Sequence, residues 1–185
     1  GMEVVSGMHE LLSDDPELSI IASRCGGRIT DLRKSPEGLP VAFCKAQNVK
    51  AGVVLTVGTD CNAGKMTASL EMLREAEQRG IRSGFCATGQ TGIAIAGRGI
   101  AIDHTISDFT AGAAEKLVLD EAADPEVKLI FVEGQGALCQ PSYSGVTLSL
   151  MHGCCPDAMV LCHRATQDRV MHVEWRMPPL AEHIA

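Results

Sequence analysis

A three-layer α/β fold, with a mainly parallel sheet and helices on both of its faces, is predicted by three observations. Short runs that are apolar throughout recur along the chain, each too short for a helix and bounded by glycines or polar turns. Such runs mark strands covered on both sides. Stretches of helical periodicity lie between them, and this alternation calls for parallel strands joined by crossover helices. The chain also carries 19 glycines and only 3% aromatic residues in a length of 185, a composition suited to many tight strand-to-helix turns.

The elements follow in order. Residues 3–27, EVVSGMHELLSDDPELSIIASRCGG, read as helix closing on the Gly26-Gly27 pair, with no strand before it. Asp14, Asp15, Pro16 and Glu17 place acids and an early proline where the free N–H groups of a helix start point. GRITDLR (27–33) is strand-like, and KSPEGLP (34–40) is a polar loop. GVVLTVG (52–58) is a buried strand. Met66, Leu70, Leu73 and Ala76 then share one helical face, with Glu71, Arg74, Glu75 and Gln78 on the other, and Gly80 ends the helix.

RSGFCAT (82–88) is a second buried strand, and GIAIAGRGIAI (92–102) reads as a glycine-interrupted one. Thr105 and Asp108 have capping-box spacing for a helix running to about Ala122. VKLIFVE (127–133) and DAMVLCH (157–163) are the third and fourth buried strands. WRMPPLAEHIA (175–185) is broken by prolines and completes no element, and Gly1 before Met2 has the look of a tag remnant.

Composition narrows the function. With 45% hydrophobic and 21% charged residues the chain can bury a core and is not disordered. No apolar run approaches the ~20 residues of a membrane span. The net charge of -7 and a pI near 5.3 exclude the basic face of a general nucleic-acid binder. The eight cysteines show no CxxC pair and no regular spacing, and several sit in apolar runs. They are expected to be reduced and structural, in a cytoplasmic protein without a zinc site.

The junction between the 52–58 strand and its helix carries the chemistry. It reads GTDCNAGKMT (58–67), against the phosphate-loop (Walker A) template G-x-x-x-x-G-K-S/T. Consecutive amides around Asn62, Ala63 and Gly64 can form an anion nest, the helix start adds partial positive charge, and Lys65 adds a full one. Two features depart from the template. Gly58 lies one step further out than the first template glycine, and Met66 replaces the hydroxyl that normally holds magnesium. Thr67 comes one position late and suits a phosphate oxygen. Phosphate binding survives these changes better than magnesium-dependent hydrolysis does. The domain is thus expected to be P-loop NTPase-like, with a site of Gly58, Thr59, Asp60, Cys61, Asn62, Ala63, Gly64, Lys65, Met66 and Thr67, joined by Gln90, Gly134 and Gln135.

GTDxxxGK resembles the loop of dethiobiotin synthetase and related ATP-using ligases. They also carry an acidic-glycine strand end like Val132-Glu133-Gly134-Gln135-Gly136. That resemblance implies a Walker-B-like, magnesium-binding role for Glu133.

A second resemblance covers residues 7 to 174. GTDCNAGKMTASLEM, ATGQTGIAIAGRGIAID, DFTAGAAE, FVEGQGAL, YSGVTLSLMHG and PDAMVLCH are similar, in order and content, to successive motifs of the D-glutamate N-acetyltransferase family. It implies that residues 1–50 are the tail of a Rossmann-like N-terminal domain plus a linker. Residues 51–185 would then be a P-loop-like domain cut short at its carboxyl end. It also implies acetyl transfer from acetyl-CoA to the amine of D-glutamate, with the loop holding the CoA phosphates. The alternatives are a magnesium–ATP ligase or kinase of dethiobiotin-synthetase type, and a nucleotide-binding module without turnover.

Acetyl transfer to an amine needs a base and oxyanion donors. Glu133, at a strand end beside a glycine-rich turn, is the first candidate base, followed by Asp60 and His163, with His152 behind them. Asp103 and Asp108 suit helix capping, Tyr143 suits donation to a carboxylate, and Arg98 suits two-pronged anion binding. Gln90, Thr91 and Gly92 resemble a switch-type loop, and Cys61 is a candidate reactive thiol at a helix start. The apolar LSLMHG segment (148–153) suggests a homo-oligomer.

Overall fold

The structure, a computed structural model, describes residues 1–184. Its first elements differ from the expected helix. Residues 3–27 divide into strand β1 (Glu3–Ser6) and helix α1 (Pro16–Arg24), followed by β2 (Arg28–Asp31). β1 and β2 pair in parallel, Glu3 opposite Arg28 and Ser6 opposite Asp31. The β-branched Val4-Val5 pair needs a partner 25 residues away, which local periodicity cannot reveal. The helix start is as expected: the Asp15 carboxylate accepts from the Glu17 and Leu18 amides at 2.8 and 3.0 Å.

The four remaining apolar runs form one parallel sheet. β3 (Gly52–Gly58), β4 (Ser83–Cys86), β5 (Leu129–Val132) and β6 (Ala158–Cys162) lie in the order β4-β5-β3-β6. Between them run α2 (Lys65–Gln78), α3 (Gln90–Ala96), α4 (Ser107–Ala122) and α5 (Ser144–Cys154), and α6 (Leu180–Ile184) follows β6. Side chains alternate across the sheet as the pleat requires. Val53, Leu55, Ile130, Val132 and Cys86 share a core with α4 and α5, while Val54, Phe85, Leu129 and Phe131 pack on the α2 and α3 side. The fold is therefore three-layer α/β.

Three local expectations are corrected, and one helix, α5, is an element the sequence reading did not assign. Residues 90–96 are helix α3, not strand; Gly97, at φ 72°, ends it in the left-handed conformation that glycine adopts freely. Alternating Ile and Ala over the four residues 93–96 cannot separate the two periods. The capping box does not form, because the Thr105 hydroxyl donates back to the Ala101 carbonyl at 3.0 Å and α4 starts at Ser107. Helix α5 arises in a stretch whose glycines and β-branched residues hide it. Gly153 lets it approach α4, since a β-carbon there would meet the Ala111 carbonyl. Pro178-Pro179 precede α6 and so start a helix rather than break one.

All eight cysteines are free, with Cys86, Cys154 and Cys162 buried. Among the described residues no helix is long and apolar enough to cross a membrane. In the LSLMHG segment Leu150 is fully buried and Leu148 alone of its apolar side chains is exposed, so its apolar character serves the α4–α5 contact first.

Candidate functional site

Ligand crevices in parallel sheets open at the carboxyl ends of the strands, and a cleft of about 400 Å³ lies there. Its walls are Cys61 to Thr67 from the loop, Gly89 to Thr91 at the start of α3, and Glu133 to Gly136 after β5. Ten of the expected site residues meet in it; Gly58, Thr59 and Asp60 lie beneath the loop instead.

The loop is shaped for an anion. Asn62 and Gly64 take left-handed backbone angles, φ 53° and 98°, which turn successive amides inward. Among the described residues the amides of 62–67 find no acceptor within the chain. Lys65 is only 7% exposed and donates to the Asp60 carbonyl at 2.9 Å. Burial pulls its pKa below the ordinary lysine value, against the opposing pull of Cys61, Cys162, Asp60 and Glu133. Its stem passes between two glycines. A β-carbon on Gly58 would lie 3.2 Å from Lys65 Cδ, and one on Gly134 would lie 3.0 Å from the same atom.

The hydroxyls behind the loop join helix to sheet. Thr56 Oγ1 and Ser69 Oγ are 2.9 Å apart, and the Gly134 amide donates to Thr56 Oγ1 at 2.9 Å. Ser69 is therefore the fully buried residue of α2, while Leu70 and Leu73 of the expected apolar face are half-buried.

Asp60 is fully buried, but its carboxylate faces away from the cleft. Oδ1 accepts from the Cys61 amide at 2.7 Å, and Oδ2 accepts from Gln167 Nε2 and the Met171 amide, both at 2.6 Å. Asp60 thus ties the loop to residues 167–171, a bond between partners too distant in sequence for motif reading to find. His163 also lies outside the cleft: its Nδ1 is 3.1 Å from Thr59 Oγ1, and it lines a separate hollow with Gln167 and Arg176.

Glu133 does reach the cleft. It is 3% exposed, and Oε2 accepts from the Thr88 and Gly89 amides at 2.9 and 3.1 Å. The carboxylate therefore holds the turn between β4 and α3 from the end of the neighbouring strand β5. Burial raises its pKa above the ordinary carboxylate value; the two amides and Lys65 oppose this, and Asp103 adds to it. Gly92 of α3 packs directly on this carboxylate, with no room for a β-carbon. Gln135 Nε2 donates to Thr88 Oγ1 at 3.2 Å, and Gln90 stands on the opposite wall.

The remaining candidates have other surroundings. Arg98 pairs with Glu121 at 2.7 Å, away from the cleft. Asp103 pairs with Arg33, a residue the sequence did not single out. Cys61 precedes α2 by four residues, and burial raises its thiol pKa while Lys65 opposes.

Residues 40–185 match the family described as a domain of unknown function, DUF1611_C, P-loop domain. Residues 1–35 match its N-terminal companion, described as a Rossmann-like domain. A D-glutamate N-acetyltransferase of Tritonibacter scottomollicae is 42% identical over 183 residues, 98% of this chain and 54% of that protein. Another of that name, from a Pseudoalteromonas species, is 42% identical over 163 residues, 88% of this chain and 48% of that protein. The crystal structure of a DUF1611 family protein from Anabaena variabilis superposes with a TM-score of 0.93 at 42% identity, covering 100% of this chain and 53% of that one. The chain thus spans about half the length of these relatives. Fold, phosphate-loop architecture and matches to both halves of the family agree, and the chain belongs to the DUF1611 family.

Proposed function

We propose that the chain supplies the phosphate-loop site of an amino-acid N-acetyltransferase, which moves acetyl from acetyl-CoA to the amine of D-glutamate. The observation that carries this reading is the loop itself: free amides and a buried Lys65 face a cleft whose opposite wall holds Glu133. The two relatives named for this activity support the choice of reaction. The CoA diphosphate suits the nest and Lys65, and Met66 in place of a hydroxyl suits an anion held without magnesium chemistry.

Glu133 is the base in this reading. Its carboxylate takes a proton from the substrate ammonium group, freeing the nitrogen lone pair. The nitrogen attacks the thioester carbonyl, the C–N bond forms and the C–S bond breaks. The departing thiolate gains the second nitrogen proton, leaving CoA thiol and the N-acetyl amino acid. A raised pKa suits a group that must accept and release a proton near neutral pH.

Thermal stability with acetyl-CoA, CoA or magnesium–ATP tests the reading. A ligand at about 100 times its Kd adds roughly 2.7 kcal/mol to the folded state. Stabilisation by CoA species without magnesium, abolished in Lys65→Ala, is the expected result. Stabilisation by magnesium–ATP alone would overturn it in favour of a ligase or kinase.

A further inference from the structure

We propose that Arg33 is a positioning residue for the phosphate-loop cleft, holding in place, through Asp103, the peptide on which the Glu133 carboxylate rests. The proposal builds on the reading of Glu133 given above. Arg33 follows β2 and would be expected in solvent, yet it is 7% exposed. Its Nε donates to the Gly7 carbonyl at 2.7 Å, and its Nη1 pairs with Asp103. One guanidinium thus joins the end of β1, the end of β2 and the turn at 102–104. A planar fork serves a carbonyl and a carboxylate together, which a lysine ammonium cannot do in the same geometry.

From Asp103 the connection runs on to the base. The amide of its neighbour Ile102 donates to the Thr88 carbonyl at 2.9 Å. The Thr88 amide donates to Glu133 Oε2 at 2.9 Å, and its hydroxyl to the Glu133 carbonyl at 2.6 Å. Ile102 and Thr88 are almost fully buried, so these links have little freedom to re-form elsewhere. A second contact meets the cleft wall at the start of α3: a β-carbon on Gly7 would lie 2.9 Å from Gln90 Cγ. The residue whose carbonyl Arg33 grips therefore also packs on the Gln90 side chain. The phosphate loop, residues 61–67, takes no part in this relay.

The experiment uses the full-length protein with Arg33→Gln, Arg33→Lys and Asp103→Asn. Misplacing a catalytic group by a fraction of an ångström costs rate rather than phosphate affinity, so kcat should fall about tenfold or more in Arg33→Gln and Asp103→Asn. KM for acetyl-CoA should hold, and Arg33→Lys should recover part of the loss. Amide exchange supplies a readout that does not depend on turnover. The peptide over residues 86–92 should exchange about tenfold faster in Arg33→Gln, while that over 53–78 keeps its protection. Should Arg33→Gln fail to fold, Asp103→Asn, whose side chain is 27% exposed, makes the same comparison. Unchanged exchange at 86–92, or equal loosening of both peptides, would overturn the proposal. If the wild-type protein shows no acetyl transfer, the reading of the reaction fails, while the exchange comparison still decides the role of Arg33.

Discussion

Gly58 and Lys65 occupy each other's space. A β-carbon on Gly58 would lie 2.8 Å from Lys65 Nζ and 2.8 Å from the Asp60 carbonyl that the same amine bonds. The glycine that is out of place by the usual template is thus the one over which the lysine folds. Gly58→Ala should cost about 1–3 kcal/mol of stability, as overpacking does. It should also weaken CoA binding by displacing the amine. Calorimetric titration and thermal unfolding check both, and wild-type affinity in this variant would contradict the packing.

Gly92 and Glu133 make a second such pair. Gly92→Ala adds a methyl where the Glu133 carboxylate lies. Acetyl transfer should drop about a hundredfold, the scale expected when a catalytic group is misplaced by about 1 Å. CoA binding, which the proposed reading assigns to the loop wall, should persist. Activity and binding measured on one preparation separate these outcomes.

Asp60→Ala should destabilise the protein by about 2–4 kcal/mol, because it leaves the Met171 N–H and one of the two Gln167 Nε2 protons, the other of which reaches the Arg169 carbonyl, without an acceptor. The loss should appear in denaturant midpoints and in faster proteolysis of the 163–175 segment.

Asp31 gives a pH dependence. Burial raises its pKa, but the Ser13 side chain, the Ser13 and Leu12 amides at 2.8 and 3.0 Å, and the Lys34 charge together outweigh this and leave it below the ordinary value. Its stabilising effect is therefore full above about pH 4, the unfolded value, and is lost as pH falls through the lower folded one. Asp31→Asn should be less stable at neutral pH and should lose less stability between pH 5 and pH 2, the order of range over which such groups titrate. Urea unfolding at the two ends of that range tests the sign.

The sheet was legible because each of its strands is a local apolar run, and β3 spans the expected residues 52–58. The loop was legible because Gly64-Lys65 stands between a strand and a helix. β1 was not, since two valines reveal a strand only once β2 pairs with them. The role of Asp60 was hidden for a similar reason: its partners lie more than 100 positions away. Arg33 gave no signal either, because nothing near it in sequence shows that a guanidinium will be buried there.

The tie between Asp60 and residues 167–171 bears on timing. A loop anchored on its far side, with two of its backbone turns already set during folding, has no ordering step to complete when a phosphate arrives. Capture should then proceed at the encounter rate. Differences in affinity among phosphate-bearing molecules would fall on how long each one stays.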